Sequence, residues 1–262
     1  MHANPVLRHV LAVLLAACSA LAFAQPQKAP AAYVPAEGQE GKDVVWVPTS
    51  QALVDKMLDM ARVTPRDFVI DLGSGDGRTV ITAAKRGSSA LGIEYNPDMV
   101  ALSRKNAQRQ GVTARATFMK ADLFETDLSR ATVITMFLLP EINLKLRPKI
   151  LGLKPGTRVV SNTFTMGKWI ADETAELGDA AGCTVSWCTA LLWIVPADVA
   201  GAYSTMQGEL VLKQEFQMLS GTLRTEGRTL ALKGKVRGEE ISFSAGGRKY
   251  RGRLNGGTMD LR

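Results

Sequence analysis

The stretch Phe68-Val69-Ile70-Asp71-Leu72-Gly73-Ser74-Gly75-Asp76-Gly77 decides the fold of this chain. Its first part is an apolar run, and its second part places three glycines at alternate positions ahead of a helical stretch that begins near Arg78. Glycines at the carboxyl end of a parallel strand let the backbone turn sharply and approach a ligand at the N-terminus of the following helix. The segment therefore predicts a nucleoside-binding loop in an α/β fold.

The spacing of the glycines limits the kind of nucleoside. A dinucleotide fingerprint needs its third glycine five residues after the first, and this chain has Arg78 at that position. A pyrophosphate site is therefore disfavoured. The closer spacing, with Asp71 just before it, suits the amino-acid end of S-adenosylmethionine, whose ammonium Asp71 can bind directly or through water. The loop residues expected to contact this cofactor are Gly73, Ser74, Gly75 and Gly77.

Two further acids follow the next two predicted strands. Glu94 comes 21 residues after Gly73, where a carboxylate can accept hydrogen bonds from both ribose hydroxyls. Asp122 follows the third predicted strand and can accept a hydrogen bond from the adenine amino group. Acids at three successive strand ends rarely arise by chance. We therefore predict a cofactor site that contains Asp71, Glu94 and Asp122.

Apolar runs alternate with helical stretches along the first 200 residues. Strands buried on both faces and joined by helices form a parallel sheet, so we predict a Rossmann-like, seven-stranded α/β sheet. Helical periodicity predicts helices at 50–63, capped by Thr49 or Ser50, and at 142–151. The predicted strands are 68–72, 90–93, 116–119, 132–138, 158–163, 184–187 and 191–195.

The composition changes near residue 200. The last 62 residues contain 11 of the 24 glycines and no proline, with short runs of alternating polarity that are typical of a small antiparallel meander. They hold 11 Lys and Arg against 6 Asp and Glu. We therefore predict a methyltransferase domain at 43–200 and a small basic β domain at 201–262. The excess of cations suits either a solvated cationic face or contact with an anionic surface, and the sequence leaves both open.

The N-terminus has the features of a targeting segment. In residues 1–24, Arg8 precedes an apolar run that ends in the small-x-small pattern of residues 22–24, which predicts a signal peptide. The Pro-, Ala- and Gln-rich residues 25–42 are expected to form a flexible leader. We therefore expect a periplasmic or envelope-attached protein. A lipoprotein cleavage at Cys18 and an uncleaved membrane anchor are the alternatives.

Removal of the targeting segment excludes several kinds of chemistry. His2 and His9 are the only histidines of the chain, so the mature protein would lack Ser-His-Asp hydrolysis, His-ligated zinc and His acid–base catalysis. No Cys-x-x-Cys motif is present, and no metal is expected. Cys183 and Cys188 are five residues apart, and the sequence leaves both a disulfide and two buried thiols open.

Five segments within residues 44–196 together resemble a known family. The similarity is to bacterial relatives of the mitochondrial lysine methyltransferases that modify the ATP synthase c subunit and the adenine nucleotide translocase. The Leu-Leu-Pro-Glu stretch is its most specific part. The segments are Val47-Pro-Thr49, Asp71-Leu-Gly-Ser-Gly-Asp-Gly-Arg78, Gly92-Ile-Glu94, Phe137-Leu-Leu-Pro-Glu-Ile-Asn-Leu-Lys-Leu-Arg-Pro148 and Lys154-Pro-Gly-Thr-Arg-Val-Val-Ser161.

The resemblance implies methyl transfer from S-adenosylmethionine to a lysine of a protein substrate. Glu141 follows the fourth predicted strand and is the first candidate to accept the lysine proton, although it can instead be a charge that complements a helix N-terminus. Asp172 and Glu173 are weaker candidates. Aromatic faces suit an amine channel, and core packing is their alternative role. The channel candidates are Trp46, Phe137, Pro140, Phe164 and Trp169.

Two other functions remain open. One is a small-molecule or nucleic-acid methyltransferase, whose anionic substrate the basic domain would bind. Residues 137–140 argue against planar acceptors, since they lack the Asn/Asp-Pro-Pro-aromatic loop of enzymes that methylate adenine, cytosine or glutamine amides. The other is a catalytically silent envelope binding module, because an exported protein meets little S-adenosylmethionine.

Overall fold

The computed structural model describes residues 33–184, 186–255 and 257–262. The predicted signal peptide, the alternative cleavage at Cys18 and residues 25–32 of the predicted leader lie outside these residues. Among the described residues, no helix is long and apolar enough to cross a membrane. The four helices of this part of the chain are α1 Gln51–Met60, α2 Arg78–Lys85, α3 Pro97–Arg109 and α4 Pro140–Leu151.

The first sheet has the order β3-β2-β1-β4-β5-β7-β6. Strands β1 to β5 are parallel, and β7 pairs antiparallel with both β5 and β6. The order reverses between β1 and β4, which is where ligands of open α/β sheets bind, outside the carboxyl ends of the strands. Its strands are β1 Phe68–Leu72, β2 Ser89–Glu94, β3 Ala116–Lys120, β4 Val133–Met136, β5 Arg158–Asn162, β6 Glu173–Glu176 and β7 Thr189–Ile194.

The second sheet is an antiparallel meander in which each strand pairs with the next. It curls until β8 and β14 are in contact, and Gln207 Nε2 donates a hydrogen bond of 3.0 Å to the Leu261 carbonyl across this seam. The predicted combination of a seven-stranded α/β sheet and a C-terminal meander is confirmed. The strands are β8 Gly201–Thr205, β9 Gly208–Glu215, β10 Met218–Thr225, β11 Arg228–Arg237, β12 Glu240–Ala245, β13 Arg248–Asn255 and β14 Thr258–Leu261.

The central strand and the first helix form where the pattern predicts them. Val69, Ile70 and Leu72 of β1 are at most 1% exposed, so both faces of the strand are covered. The predicted cap of α1 is Ser50, whose Oγ accepts a hydrogen bond of 3.3 Å from the Leu53 amide. Burial of the apolar face of α1 against the sheet, and not intrinsic helix propensity, stabilises this ten-residue helix.

The strand predicted at 184–187 is wrong, and the sheet instead takes β6 at its edge. Residues Glu173–Glu176 alternate between exposed and half-buried positions, so no apolar run marks them in the sequence. The predicted strand falls in a loop closed by a disulfide between Cys183 and Cys188, whose Cα atoms are 5.9 Å apart. Of the two states that the sequence leaves open for Cys183 and Cys188, the structure has the disulfide and not two buried thiols.

Candidate active site

The glycine loop after β1 is tied to the neighbouring strand. Gly73 and Gly75 have φ angles of +74° and +53°, which L side chains rarely adopt. The Gly73 amide donates a hydrogen bond of 2.9 Å to the Ile93 carbonyl of β2. A Cβ at Gly75 would lie 2.5 Å from Nε1 of Trp46, so the indole can cover the loop only because this position is glycine.

Asp71 lies at the bottom of the cleft, where β1 ends. Its side chain is buried, and Oδ1 accepts a hydrogen bond of 2.6 Å from Oγ1 of Thr135 on β4. Burial raises the pKa of this carboxyl to about 7, and the nearby carboxylates of Asp76 and Glu94 add to the rise. A bound cation would favour the ionised form, which is the behaviour expected of a partner for an ammonium group.

Glu94 is held by two backbone amides from different elements. Its Oε2 accepts a hydrogen bond of 3.0 Å from the Gly75 amide, and its Oε1 accepts one of 2.9 Å from the Asn96 amide. The Asn96 side chain in turn caps α3 through the Asp98 amide, at 2.9 Å. A carboxylate has about four acceptor positions, so Glu94 retains free positions for a diol.

Asp122 is paired with a cation that the sequence analysis does not identify. Lys42 Nζ lies 2.5 Å from Asp122 Oδ2 and 4.9 Å from the centre of the Tyr95 ring. The hydrogen bond from Lys42, together with one of 2.8 Å from the Phe124 amide, lowers the pKa of Asp122. Asp122, the predicted hydrogen-bond acceptor for the adenine amino group, is therefore ionised, and Lys42 pairs with it.

Lys42 belongs to a turn, residues 36–46, that we call the cover turn. The Gly38 amide donates to the Trp46 carbonyl at 2.8 Å, and the Trp46 amide donates to the Gln39 carbonyl at 2.9 Å. Residues 39–47 line one wall of the cleft. The leader predicted to extend to residue 42 thus gives way to hydrogen-bonded structure several residues earlier, because composition does not show that the segment packs on the site.

Two adjoining cavities form the cleft. One is lined by Glu94 and Asp122, and the other by Asp71 and the glycine loop. Trp46 and Phe137 line both cavities, so they lie where the two meet. The three predicted acids are therefore brought to one continuous cleft.

The residues of this cleft fit S-adenosylmethionine. Asp71 can hold the ammonium, Glu94 the ribose hydroxyls, and Asp122 the adenine amino group. Ser74 Oγ is buried and has no hydrogen-bond partner among the described residues, so it can bind a polar group of a ligand. Apolar side chains complete the adenine end; these are Met99, Leu138 and Ile142.

Asp76 and Arg78 together connect two segments of the chain. Arg78 Nη2 lies 2.7 Å from Asp76 Oδ2, and Arg78 Nη1 donates to the Thr49 carbonyl at 2.8 Å. The guanidinium therefore joins the glycine loop to the residues that precede α1. Sequence reasoning does not identify Thr135 or Lys42, because their importance depends on pairing partners far along the chain.

The residues predicted to contact the methyl acceptor separate into two groups. Trp46 and Phe137 line the cleft, but Pro140 and Glu141 are not among the described residues that line it. Pro140 is the first residue of α4, and Glu141 is exposed in its first turn, where a negative charge complements the helix dipole. The structure thus favours the interpretation of Glu141 as a charge that complements the N-terminus of α4, over its role as a proton acceptor.

Trp169 is a core residue, and its assignment to the amine channel is wrong. Its side chain is fully buried and stacks on Phe216, with ring centroids 6.2 Å apart. The ring of Trp193 also packs against it, tilted, with ring centroids 6.2 Å apart. Phe216 lies between β9 and β10, so Trp169 joins the two sheets. An aromatic residue type alone does not indicate whether the ring lies in the core or in a channel.

The strand order, the glycine loop and the three acids define an S-adenosylmethionine-dependent methyltransferase. A family model described as the ANTKMT methyltransferase domain matches residues 71–173. A protein-lysine N-methyltransferase of Saccharolobus islandicus (strain REY15A) is 45% identical over 139 residues, which cover 52% of this chain and 86% of that protein. The chain belongs to this family of methyltransferases.

Two further relatives are similar over the same part of the chain. The ATP synthase c-subunit lysine N-methyltransferase of Mus musculus is 37% identical over 134 residues, or 51% of this chain and 54% of that protein. The chain thus spans about half the length of the mouse relative. A crystal structure named as an RNA methyltransferase from Salinibacter ruber in complex with S-adenosyl-L-homocysteine has a TM-score of 0.54 and 45% identity, covering 58% of this chain and 96% of that chain.

Substitutions in the loop and at the ribose acid should weaken cofactor binding. We expect Glu94→Ala and Gly75→Val each to raise the Kd for S-adenosylmethionine at least about tenfold, or about 1.4 kcal/mol, measured by calorimetry. The valine at position 75 would collide with Trp46 as well as strain the backbone.

Gly111→Val is the matched control for the loop variant. Gly111 also has a positive φ, +69°, but a Cβ there meets nothing within 4 Å. It should therefore share the backbone strain and retain cofactor affinity. Unchanged affinity in folded Glu94→Ala protein would refute the ribose assignment.

Cofactor affinity should also depend on pH through Asp71. Because burial raises the pKa of this carboxyl to about 7, the group is largely neutral below that pH and attracts an ammonium poorly. The sign follows directly: affinity should rise with pH, by about tenfold between pH 5.5 and 7, while the cofactor ammonium remains charged. Calorimetry across this range provides the measurement.

Two variants test the assignment to Asp71. Asp71→Asn should abolish the pH dependence. Thr135→Val removes a hydrogen bond that stabilises the ionised carboxylate, so it should move the midpoint to higher pH. A pH-independent affinity in the unaltered protein would exclude Asp71 as the ammonium partner.

Proposed function

We propose that this methyltransferase transfers the methyl group of S-adenosylmethionine to the side-chain amine of a lysine in a protein. The observation that carries the proposal is the wall formed by Trp46 and Phe137, where the two cavities meet. The names of the Saccharolobus and mouse relatives, which are both lysine N-methyltransferases, support it. The ring faces of this wall can attract an amine and cover its aliphatic stem.

The aromatic wall prepares the acceptor for an in-line displacement. S-adenosylmethionine supplies a methyl group on a sulfonium: a nitrogen–carbon bond forms as the sulfur–carbon bond breaks, and the sulfur leaves as a neutral thioether. Trp46 and Phe137 keep water from the acceptor, and desolvation lowers the pKa of an amine, so a neutral lysine is favoured there. The lysine proton passes to solvent. Glu141 receives no role in this step, because it lies outside the cleft.

Transfer of tritiated methyl in a lysate tests the acceptor. The label should appear in the protein fraction, resist nuclease, and be released as methyl-lysine on acid hydrolysis. Asp71→Asn should lower labelling about tenfold at a limiting concentration of the donor, since its donor site is impaired. Glu141→Gln should retain activity because its side chain is exposed at the start of α4.

The nuclease step separates the competing acceptors. The Salinibacter structure is named an RNA methyltransferase, so label confined to nucleic acid is the specific result that would overturn the lysine assignment. Label confined to small molecules would overturn it as well. Loss of activity in Glu141→Gln would leave lysine as the acceptor and restore Glu141 as a proton acceptor.

The meander carries a row of lysines on its outer face. Cross-strand pairing places Lys213 beside Ser220, Ser220 beside Lys233, Lys233 beside Ser244, and Ser244 beside Lys249. All five side chains are exposed. Within the described residues the three lysines form no ion pair. We call Lys213, Lys233 and Lys249 the lysine row.

We propose that the lysine row contacts an anionic lipid surface. An unpaired row of like charges attracts a surface of opposite charge, and each lysine near an anionic membrane contributes about 1 kcal/mol. The N-terminal apolar segment expected from the sequence would bring the chain to a membrane. The triple variant Lys213→Gln, Lys233→Gln, Lys249→Gln should therefore bind phosphatidylglycerol vesicles about 100-fold more weakly in sedimentation at low salt.

A second triple variant controls for net charge. Lys85→Gln, Lys105→Gln and Lys154→Gln remove the same charge from exposed positions outside the meander. This variant should keep most of the vesicle affinity, and phosphatidylcholine vesicles should bind neither protein. Equal losses in the two variants would attribute binding to net charge alone. Binding to RNA in place of vesicles would contradict the proposed lipid partner.

A further inference from the structure

Three aromatic side chains from separate strand ends lie together beside the cleft. Phe137 follows β4, Phe164 follows β5, and Trp187 precedes β7. The ring centroids are 5.9 Å apart for the two phenylalanines, 5.4 Å for Phe164 and Trp187, and 6.3 Å for Phe137 and Trp187. We call these three residues the aromatic triad. Because Phe137 also lines both cavities, the triad continues the cleft from the donor site.

The backbone fixes Phe164 at an energetic cost. Thr163 has a φ of +58°, a rare conformation for a β-branched residue, and such strain persists only where the surroundings impose it. The Thr163 amide donates to the Thr189 carbonyl of β7 at 2.7 Å. The buried Asn143 of α4 donates through Nδ2 to the Phe164 carbonyl at 3.1 Å. Two elements therefore hold the strained turn that positions this ring.

The disulfide holds Trp187 at the solvent side of the triad. Trp187 immediately precedes Cys188, whose carbonyl accepts a hydrogen bond of 2.9 Å from the Leu177 amide after β6. The indole remains 38% exposed, whereas Trp169 and Trp193 are fully buried. Core packing accounts for the two buried indoles, but not for a partly exposed indole that packs against a residue of the cleft, Phe137.

We propose that the aromatic triad binds the aliphatic amine side chain of the acceptor, with Trp187 as a specificity-determining residue. This inference rests on the proposed lysine acceptor and names the residues that recognise it. The ring faces attract a cationic amine and its methylated products, and the ring edges and faces cover the apolar stem.

The test measures ligand binding to the purified protein saturated with S-adenosylhomocysteine. The probe is Nα-acetyl-trimethyl-lysine amide, compared with a neutral analogue in which carbon replaces the ammonium nitrogen. Calorimetry should show at least about fivefold tighter binding of the cation. Trp187→Ala should lose about fivefold or more of this affinity, and Trp187→Phe should restore most of it. The affinity for S-adenosylmethionine should not change in either variant.

Ile170→Ala is the matched control, because Ile170 is 68% exposed and outside the triad. Equal cation affinity in Trp187→Ala, equal affinity for the neutral analogue, or no binding to the unaltered protein would each overturn the triad assignment. The methyl-lysine assay is a separate readout. If lysine is labelled but the triad test fails, the proposed lysine methylation stands and the triad assignment falls. If Trp187→Ala loses affinity for the probe but no lysine is labelled, the triad is an amine-binding site and lysine is not the methyl acceptor.

Discussion

The parallel pairing of β1 with β2 on one side and β4 on the other determines where Asp71 and Glu94 lie in the cleft. Asp71 is opposite Gly92 of β2 and Thr135 of β4. A Cβ at Gly92 would lie 2.5 Å from Ser74 Oγ, so glycine is needed on one side, while Thr135 supplies the hydrogen bond on the other. A slip of one residue would reverse the direction of every side chain on the strand. The same register brings Glu94 to the amide of Gly75.

The two ends of the cofactor cleft differ in their electrostatics. Asp71 is desolvated, and a buried carboxylate is costly to ionise without a cation, so this end is completed by a charged ligand group. Asp122 is ionised without a ligand because Lys42 already pairs with it. That pair is partly exposed and contributes little to stability, so an adenine amino group can replace Lys42 at small cost. If the two residues hold the cofactor as predicted, recognition at Asp71 depends on charge, and recognition at Asp122 depends on the exchange of one hydrogen-bond donor for another.

Local sequence patterns predict the strands and helices whose buried faces are apolar. They do not predict elements whose position depends on contacts with residues far along the chain. The strand Phe68–Leu72 was predicted at its observed bounds because both its faces are apolar and glycines end it. The edge strand Glu173–Glu176 is polar, so no apolar run marks it, whereas the apolar residues of 184–187 predict a strand that does not form. The acids of the cofactor cleft follow strand ends, which a sequence shows. The positions of Lys42 and Trp187 depend on a turn and on a disulfide loop, which the local pattern does not encode.

Burial, and not charge, joins the two sheets. Arg237 and Glu173 form an ion pair of 2.6 Å between them, but both side chains are about half exposed, so salt screens their attraction. The stacked rings of Trp169 and Phe216, and the buried Gln217, which donates to the Ile170 carbonyl at 2.6 Å, are shielded from salt. The junction should therefore withstand ionic strength that weakens contacts of the exposed cations.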